Sequence, residues 1–162
     1  MNHQPILTPG HLLLREKAGL WSVQCRYFMQ AGADPIEVEA VDRVRSLGPF
    51  WSIAEFKADM VGTSIEGCAM TGFDPIRNCF VATWVDSVTP YLYQFEGTYD
   101  EGSHTLTLQG LNPDPNTGEM REYRSRETFI GGDSRIFTLE IKREQSFFRV
   151  LEYHYKRTST SP

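Results

Sequence analysis

Residues 67–87, Gly67-Cys68-Ala69-Met70-Thr71-Gly72-Phe73-Asp74-Pro75-Ile76-Arg77-Asn78-Cys79-Phe80-Val81-Ala82-Thr83-Trp84-Val85-Asp86-Ser87, read as two strands folded about one tight turn. On both sides of Asp74-Pro75-Ile76-Arg77 the side chains alternate between core-forming and solvent-tolerant, and a period of two is the mark of a strand with one buried face. Proline presets the first corner of the turn. Symmetry about this turn sets Phe80, Ala82 and Trp84 opposite Thr71, Ala69 and Gly67, with the small Gly67 and Ala69 leaving room for the Trp84 indole.

The same rhythm extends in both directions from this hairpin. Turn clusters recur at Gln30 to Pro35, Gly48-Pro49, Val61-Gly62, Ser87 to Pro90, Asp100 to Ser103, Asn112 to Gly118, Gly131 to Asp133 and Lys142 to Gln145. They divide the chain after Gly19 into about ten strands. No connection is long enough for a crossover helix, so sequence neighbours pair as antiparallel hairpins, and a meander of that length closes on itself to remove its edges. The expected fold is all-β, a single antiparallel up-and-down barrel with a short N-terminal helix. Thr8 as N-cap, Pro9 at the first helical position and Gly19 as the stop place that helix at residues 9–18. Residues 1–8 are expected to be a flexible lead, 9–157 the barrel domain and 158–162 a disordered tail.

Carrying the register outward sets Trp84 and Ala82 opposite Tyr93 and Phe95. It turns Leu106, Leu108, Trp51, Ile53, Val44, Ala40 and Val38 inward, and Thr83, Gln94, Glu96, Arg43 and Arg45 toward solvent.

Composition narrows the class of partner. The 162 residues carry 16 Lys+Arg against 21 Asp+Glu, a net charge of −5, with 12% aromatic side chains. This is one ordinary domain with enough apolar surface to found a core. An acidic balance argues against nucleic acid or an anionic membrane as partner, because both attract basic surfaces. The longest aliphatic run, Leu12-Leu13-Leu14, is far below the roughly 20 residues of a bilayer helix. Nothing at Met1-Asn2-His3-Gln4-Pro5 reads as a secretory signal, and Cys25, Cys68 and Cys79 sit in strand-like runs without metal spacing, so reduced thiols in the cytoplasm are expected. His3, His11, His104 and His154 form no H-x-x-x-H or H-E-x-x-H pair, so neither a metal nor a cofactor is called for by spacing. Arg121 to Glu127 mixes signs along one strand, which reads as a solvated face.

Gly19-Leu20-Trp21, where the helix meets the first strand, resembles the G-x-W opening of lipocalin-like, or calycin, barrels. Arg45-Ser46-Leu47-Gly48-Pro49-Phe50-Trp51, Gly72-Phe73-Asp74-Pro75, Thr83-Trp84-Val85-Asp86-Ser87 and Phe95-Glu96-Gly97 resemble the successive signatures of an uncharacterised bacterial domain-of-unknown-function family with that fold. Pro49 stands where members of that family usually have Gly. The resemblance implies a closed barrel and no activity. In lipocalins an Arg near the last strand packs over the G-x-W tryptophan, a part open here to Arg157 or Arg149. Fatty-acid carriers of the superfamily insert a helical lid, for which Gln30 to Pro35 is too short. Related nitrite- and nitric-oxide-handling barrels hold haem through one His, and His154 is the residue that would do so here.

The inward register places Asp42, Glu55, Lys57 and Asp86 among aromatics, where a charge is costly unless paired or useful. The expected site is therefore an interior cavity lined by Trp51, Glu55, Trp84, Asp86, Tyr93, Phe95 and Tyr153. Its aromatic walls would hold a small hydrophobic or amphipathic ligand, with Glu55 or Asp86 orienting a polar end. The alternatives are an enzyme using Glu55 with Asp86, a haem barrel, and a filled barrel acting as a dimer module. For Asp86 a second reading is that it caps the Ser87 to Pro90 turn. An outer stripe of Val81, Val85 and Leu92 marks a face for a second copy of the chain.

Overall fold

The computed structural model describes residues 4–162, so His3 and the start of the expected flexible lead lie outside the described residues. Thr8 opens α1 (Pro9–Arg15), which ends before the expected 9–18 limit. Its N-terminus is secured by His11 rather than by the threonine hydroxyl alone. Nδ1 of His11 accepts from the Thr8 main-chain N–H at 3.1 Å and lies 2.9 Å from the Thr8 hydroxyl. Nε2 of the same ring lies 3.0 Å from the Phe73 carbonyl and pins the helix to the barrel.

Ten strands follow: β1 (Gly19–Tyr27), β2 (Ile36–Leu47), β3 (Trp51–Met60), β4 (Thr63–Asp74), β5 (Cys79–Asp86), β6 (Tyr93–Asp100), β7 (Thr105–Pro113), β8 (Met120–Ile130), β9 (Ser134–Arg143) and β10 (Ser146–Ser159). Each pairs antiparallel with its sequence neighbour, and β1 pairs with β10 to close the barrel. β10 continues through Ser159, so Thr158 and Ser159, assigned to a tail by the sequence, belong to the ladder. Gly19 is the first residue of β1 rather than a helix stop. Its φ is +143°, and a Cβ there would stand 2.4 Å from the Ser159 carbonyl oxygen.

The hairpin at residues 67–87 forms as expected, with Asp74 accepting from the Ile76 and Arg77 N–H groups at 2.9 and 3.1 Å. Its turn takes Pro75–Asn78, so Phe80 pairs with Phe73, Ala82 with Thr71 and Trp84 with Ala69. This slips the register by two residues and keeps every side chain on its expected face.

The helix, Leu14 and the turns 48–50, 75–78, 101–104 and 131–133 gather at one end of the barrel, which is tightly filled. Leu14, Phe80, Leu106 and Leu108 form one buried cluster there. Beside it lies a buried ionic network. Lys17 Nζ bonds Glu127 Oε2 at 3.1 Å, Arg135 bonds Glu127 Oε1, and Arg135 reaches Asp42 Oδ2 at 3.3 Å. Burial pushes the Asp42 carboxyl up against the pull of Arg135 and Lys17. Burial acts the same way on Glu127, but there Lys17 and Arg135 win and hold it below the usual carboxylate range. Asp42 Oδ1 and Arg135 Nε are buried without a hydrogen-bond partner among the described residues, so this network is costly as well as cohesive. The sequence placed Asp42 inside correctly but read Arg121 to Glu127 as a solvated face. Alternation instead sends Tyr123, Ser125 and Glu127 inward and Arg124 and Arg126 outward.

Two arginines flank Trp21. Arg157 stands 4.3 Å from its ring and Arg135 4.6 Å, while the indole N–H donates to the Lys17 carbonyl at 3.0 Å. Arg157 therefore takes the part left open between it and Arg149, which pairs with Glu152 on the outside.

Replacing Arg135 by Met leaves two buried carboxylates facing Lys17 alone and should lower stability by about 3–5 kcal/mol in urea unfolding. Arg77→Ala, which breaks an exposed pair with Glu96, should change it by less than about 1 kcal/mol.

Candidate functional site

The opposite end of the barrel is bounded by the 28–35, 61–62, 87–92, 114–119 and 144–145 loops. Of the inward side chains on β1–β3, Cys25, Ala40, Phe56 and Ala58 are buried and Tyr27, Val38 and Ala54 half-buried. Phe56 stacks on Tyr153 with centroids 5.4 Å apart and planes within 7°, and both join Cys25, Ala40 and Ala58 in one cluster. Across the interior, Ala69, Ala82, Trp84, Phe95, Phe137 and Leu139 point inward yet are only half-buried. These half-buried rings meet the other wall edge-on or tilted: Trp84 and Phe56 have centroids 6.0 Å apart, Phe137 and Tyr153 6.0 Å, and Phe95 and Tyr123 6.4 Å.

Trp84, Phe95, Tyr93 and Tyr153 thus occupy the interior as the sequence places them, with Trp84 pairing Tyr93 and Ala82 pairing Phe95. The room foreseen for Trp84 is real. A Cβ on Gly67 would fall 2.1 Å from its ring, so the indole lies directly over that glycine. Asp86 sits at the rim and serves the turn. Its Oδ1 accepts from the N–H groups of Val88 and Thr89 at 3.0 and 2.8 Å and from the Thr89 hydroxyl at 3.1 Å. Its Oδ2 accepts from the Trp84 indole N–H at 2.9 Å. One carboxylate therefore fixes both the 87–92 loop and the Trp84 indole, leaving little capacity to orient a ligand.

Trp51 and Glu55 are not in the interior. Trp51 pairs with Leu47, so the β2–β3 turn holds three residues, Gly48–Phe50, and that extra residue inverts the whole of β3 relative to a Gly48-Pro49 turn. Ser52, Ala54, Phe56 and Ala58 face in; Trp51, Ile53, Glu55 and Lys57 face out. Glu55 and Asp86 do not meet, and Lys57 pairs instead with Glu66 at 3.0 Å. The carboxylate-pair reading loses its geometry. His154 also faces outward, 44% exposed at the side chain and bonded to Glu152 at 2.6 Å, so it cannot be an axial ligand for a haem inside the barrel.

Alternation about the correct β3 register brings in Phe56, which sequence reasoning missed, and β1 and β9 add Tyr27, Phe137 and Leu139. The Tyr27 and Tyr153 hydroxyls are 2.8 Å apart. Burial pushes Tyr27 up to about 12 and Tyr153 well above the ordinary phenol range, so both stay protonated. Among the described residues, no group of three or more His, Cys, Asp or Glu side chains could hold a metal ion, and no helix is long and apolar enough to cross a membrane.

A surface concavity of about 800 Å³ lies on the outside across β3–β8, with Trp51, Met70, Val81 and Gln109 in its walls and Ala82, Phe95 and Tyr123 reaching it between them. Trp51 rests there on Gly72, where a Cβ would come within 2.3 Å of its ring. The groove is open, and its charges are engaged: Arg77 with Glu96, and Glu122 with Lys142. Arg124 covers the Phe147 ring at 3.9 Å. The inward aromatic face around Trp84 and Phe137 is more enclosed than this groove and is the candidate site.

A model of a protein family of unknown function, DUF1579, matches residues 7–157. The chain belongs to the DUF1579 family. Two solved structures resemble this family member in fold. The crystal structure of Rv2717c from M. tuberculosis has a TM-score of 0.68 at 15% identity, covering 94% of this chain and 99% of that one. The S-type phycobiliprotein lyase CPES from Guillardia theta has a TM-score of 0.64 at 13% identity, covering 90% of each chain. At these identities the likeness is one of fold. No curated protein matches the DUF1579 chain.

Asp86→Ala removes the acceptor shared by the rim loop and Trp84. It should cost about 2 kcal/mol, on the scale of hydrogen bonds to a charged group, and shift the tryptophan emission. Urea unfolding and fluorescence spectra of the folded variant check both.

Proposed function

We propose that the protein binds a small hydrophobic or amphipathic molecule in the open half of its barrel. The observation that supports this reading is that Trp84, Phe137 and Leu139 face inward in the half of the barrel away from the helix and are only half-buried. Apolar surface left in contact with water inside a fold is surface a ligand can cover, at about 25 cal/mol per Å². Binding by sequestration follows, with aromatic walls providing the transfer energy and the rim loops providing access. That a phycobiliprotein lyase shares the barrel adds support at the level of fold only. The three free cysteines suit a reducing compartment, so we place this activity in the cytoplasm.

The test is to fill the hollow. Ala82 stands on its wall, and Ala82→Leu should abolish binding of Nile red, followed by energy transfer from tryptophan, while leaving thermal stability unchanged or raised. Trp51→Phe should leave the dye affinity unchanged, since Trp51 lies in the outer groove. The reading is overturned if wild type binds no dye while Ala82→Leu loses about 1–3 kcal/mol, which is how an already filled core responds to overpacking.

A further inference from the structure

β9 runs from the buried ionic network to the far rim, and its alternation turns Arg135, Phe137, Leu139, Ile141 and Arg143 inward. Arg135 is engaged by Glu127 and Asp42 at the helix end. Arg143, at the other end, is half-buried and makes no ion pair among the described residues; its Cζ stands 4.9 Å from the centre of the Phe148 ring. Phe148 pairs with Ile141 and packs with Trp84, Phe95 and Leu139 against the buried Tyr93, Tyr123 and Ile141. The guanidinium thus stands at the rim of the same apolar wall to which Trp84 and Leu139 belong. Continuing the β8–β9 register two residues beyond Tyr123 and Ile141 sets Arg121 opposite Arg143, and both cations act on the Tyr123 phenol. Like charges facing each other across a ladder are unfavourable. Arg121 is compensated by Asp114 at 3.4 Å and Glu119 at 2.6 Å. Asp114 in turn holds the Asn116 N–H at 2.9 Å, Asp86 holds Trp84, Val88 and Thr89, and Glu144 is exposed in the next turn. One positive charge at this rim is left over, and it belongs to Arg143.

We propose that the ligand of the barrel interior is an apolar molecule ending in a single carboxylate, with Arg143 as the counter-charge that receives it at the rim. This rests on reading the inward face around Trp84 and Phe137 as a binding site and adds the class of its ligand. The match is one of charge and of reach. One uncommitted guanidinium answers one negative charge, and its planar fork meets both oxygens of a carboxylate in parallel. Leu139 and Arg143 are four residues apart on one strand, about 13 Å at about 3.3 Å per residue, so an extended apolar body lying along Leu139 and Ile141 delivers its head to the guanidinium. A neutral head would leave Arg143 with the weaker ring contact alone, and a cationic head would add a third positive group beside Arg121 and Arg143. The net charge of −5 does not oppose an anion at this point, because exposed charges more than about 8–10 Å away are largely screened at physiological salt.

Three probes that differ only in their head group test this: decanoate, decanol and decylammonium, each titrated calorimetrically into the full chain at neutral pH and below its micellar concentration. Decanoate should bind at least about tenfold tighter than decanol, on the scale of hydrogen bonds to a charged group, with decylammonium weakest. Arg143→Met keeps an apolar stem and removes the charge, so it should weaken decanoate by about tenfold, to the level of decanol, and leave decanol unchanged. Arg143→Lys restores the charge without the fork and should recover part of that loss. Thermal melts of both variants keep a folding defect distinct from a lost counter-charge, and decanol binding itself reports an intact apolar wall. Decanol or decylammonium binding as tightly as decanoate, or decanoate binding unaltered in Arg143→Met, overturns the carboxylate assignment while the reading of the interior as a binding site stands. Failure of all three probes to bind overturns both.

Discussion

Trp21 held between Arg135 and Arg157 is the contact on which the rest of the barrel depends. The indole belongs to β1, Arg135 to β9 and Arg157 to β10, so one sandwich ties the first strand to the last two across the seam where the barrel closes. Arg157 also donates to the carbonyls of Glu16 and Gly132 at 2.7 and 2.9 Å, binding the end of the helical segment to the β8–β9 turn. Arg135 carries the tie into the interior through Glu127 to Lys17. Four charges removed from water are expensive, and they are tolerable because each finds an opposite partner at short range. The consequence for function is positional. With that end closed by charge, helix and aliphatic packing, the binding proposed here belongs to the other.

Much of the architecture was legible because turns are local. Each polar cluster in the sequence became a connection, and strand pairing across them followed from chain adjacency alone. Face assignment was harder, since it depends on the parity of each loop. The 67–87 turn slipped by two residues without harm, whereas one extra residue at Gly48–Phe50 turned β3 over and took Trp51 and Glu55 outside with it. A signal was available in β3 itself. Trp51, Ile53, Glu55 and Lys57 share one parity and carry two charges, while Ser52, Ala54, Phe56 and Ala58 share the other and carry none. Apolar bulk at Trp51 outweighed that pattern, and only the glycine at position 72 reveals how a tryptophan can lie flat on the outer surface.

The site was legible where it rests on alternation and illegible where it rests on distant pairing. Trp84, Tyr93, Phe95 and Tyr153 follow from strand period, and Asp86 as a turn-capping group follows from its place before Ser87-Val88-Thr89. The partnership of Tyr27 with Tyr153 spans 126 residues and that of Lys17 with Glu127 spans 110. Both come from closing the first strand onto the last, and no local pattern encodes the vertical level at which two such side chains meet. Glu127 illustrates the difficulty, being an acidic residue in a charged run whose burial is decided by partners from two other parts of the chain.

Because Asp86 holds the Trp84 indole with one oxygen and the 87–92 loop with the other, the loop and the strand-borne ring behind it share a fastener. Swinging the loop aside while keeping both sets of bonds is not open to so short a linkage, so displacing the loop and loosening the indole become a single event. The tryptophan is thereby a built-in gauge of that loop, its emission changing whenever the clasp lets go.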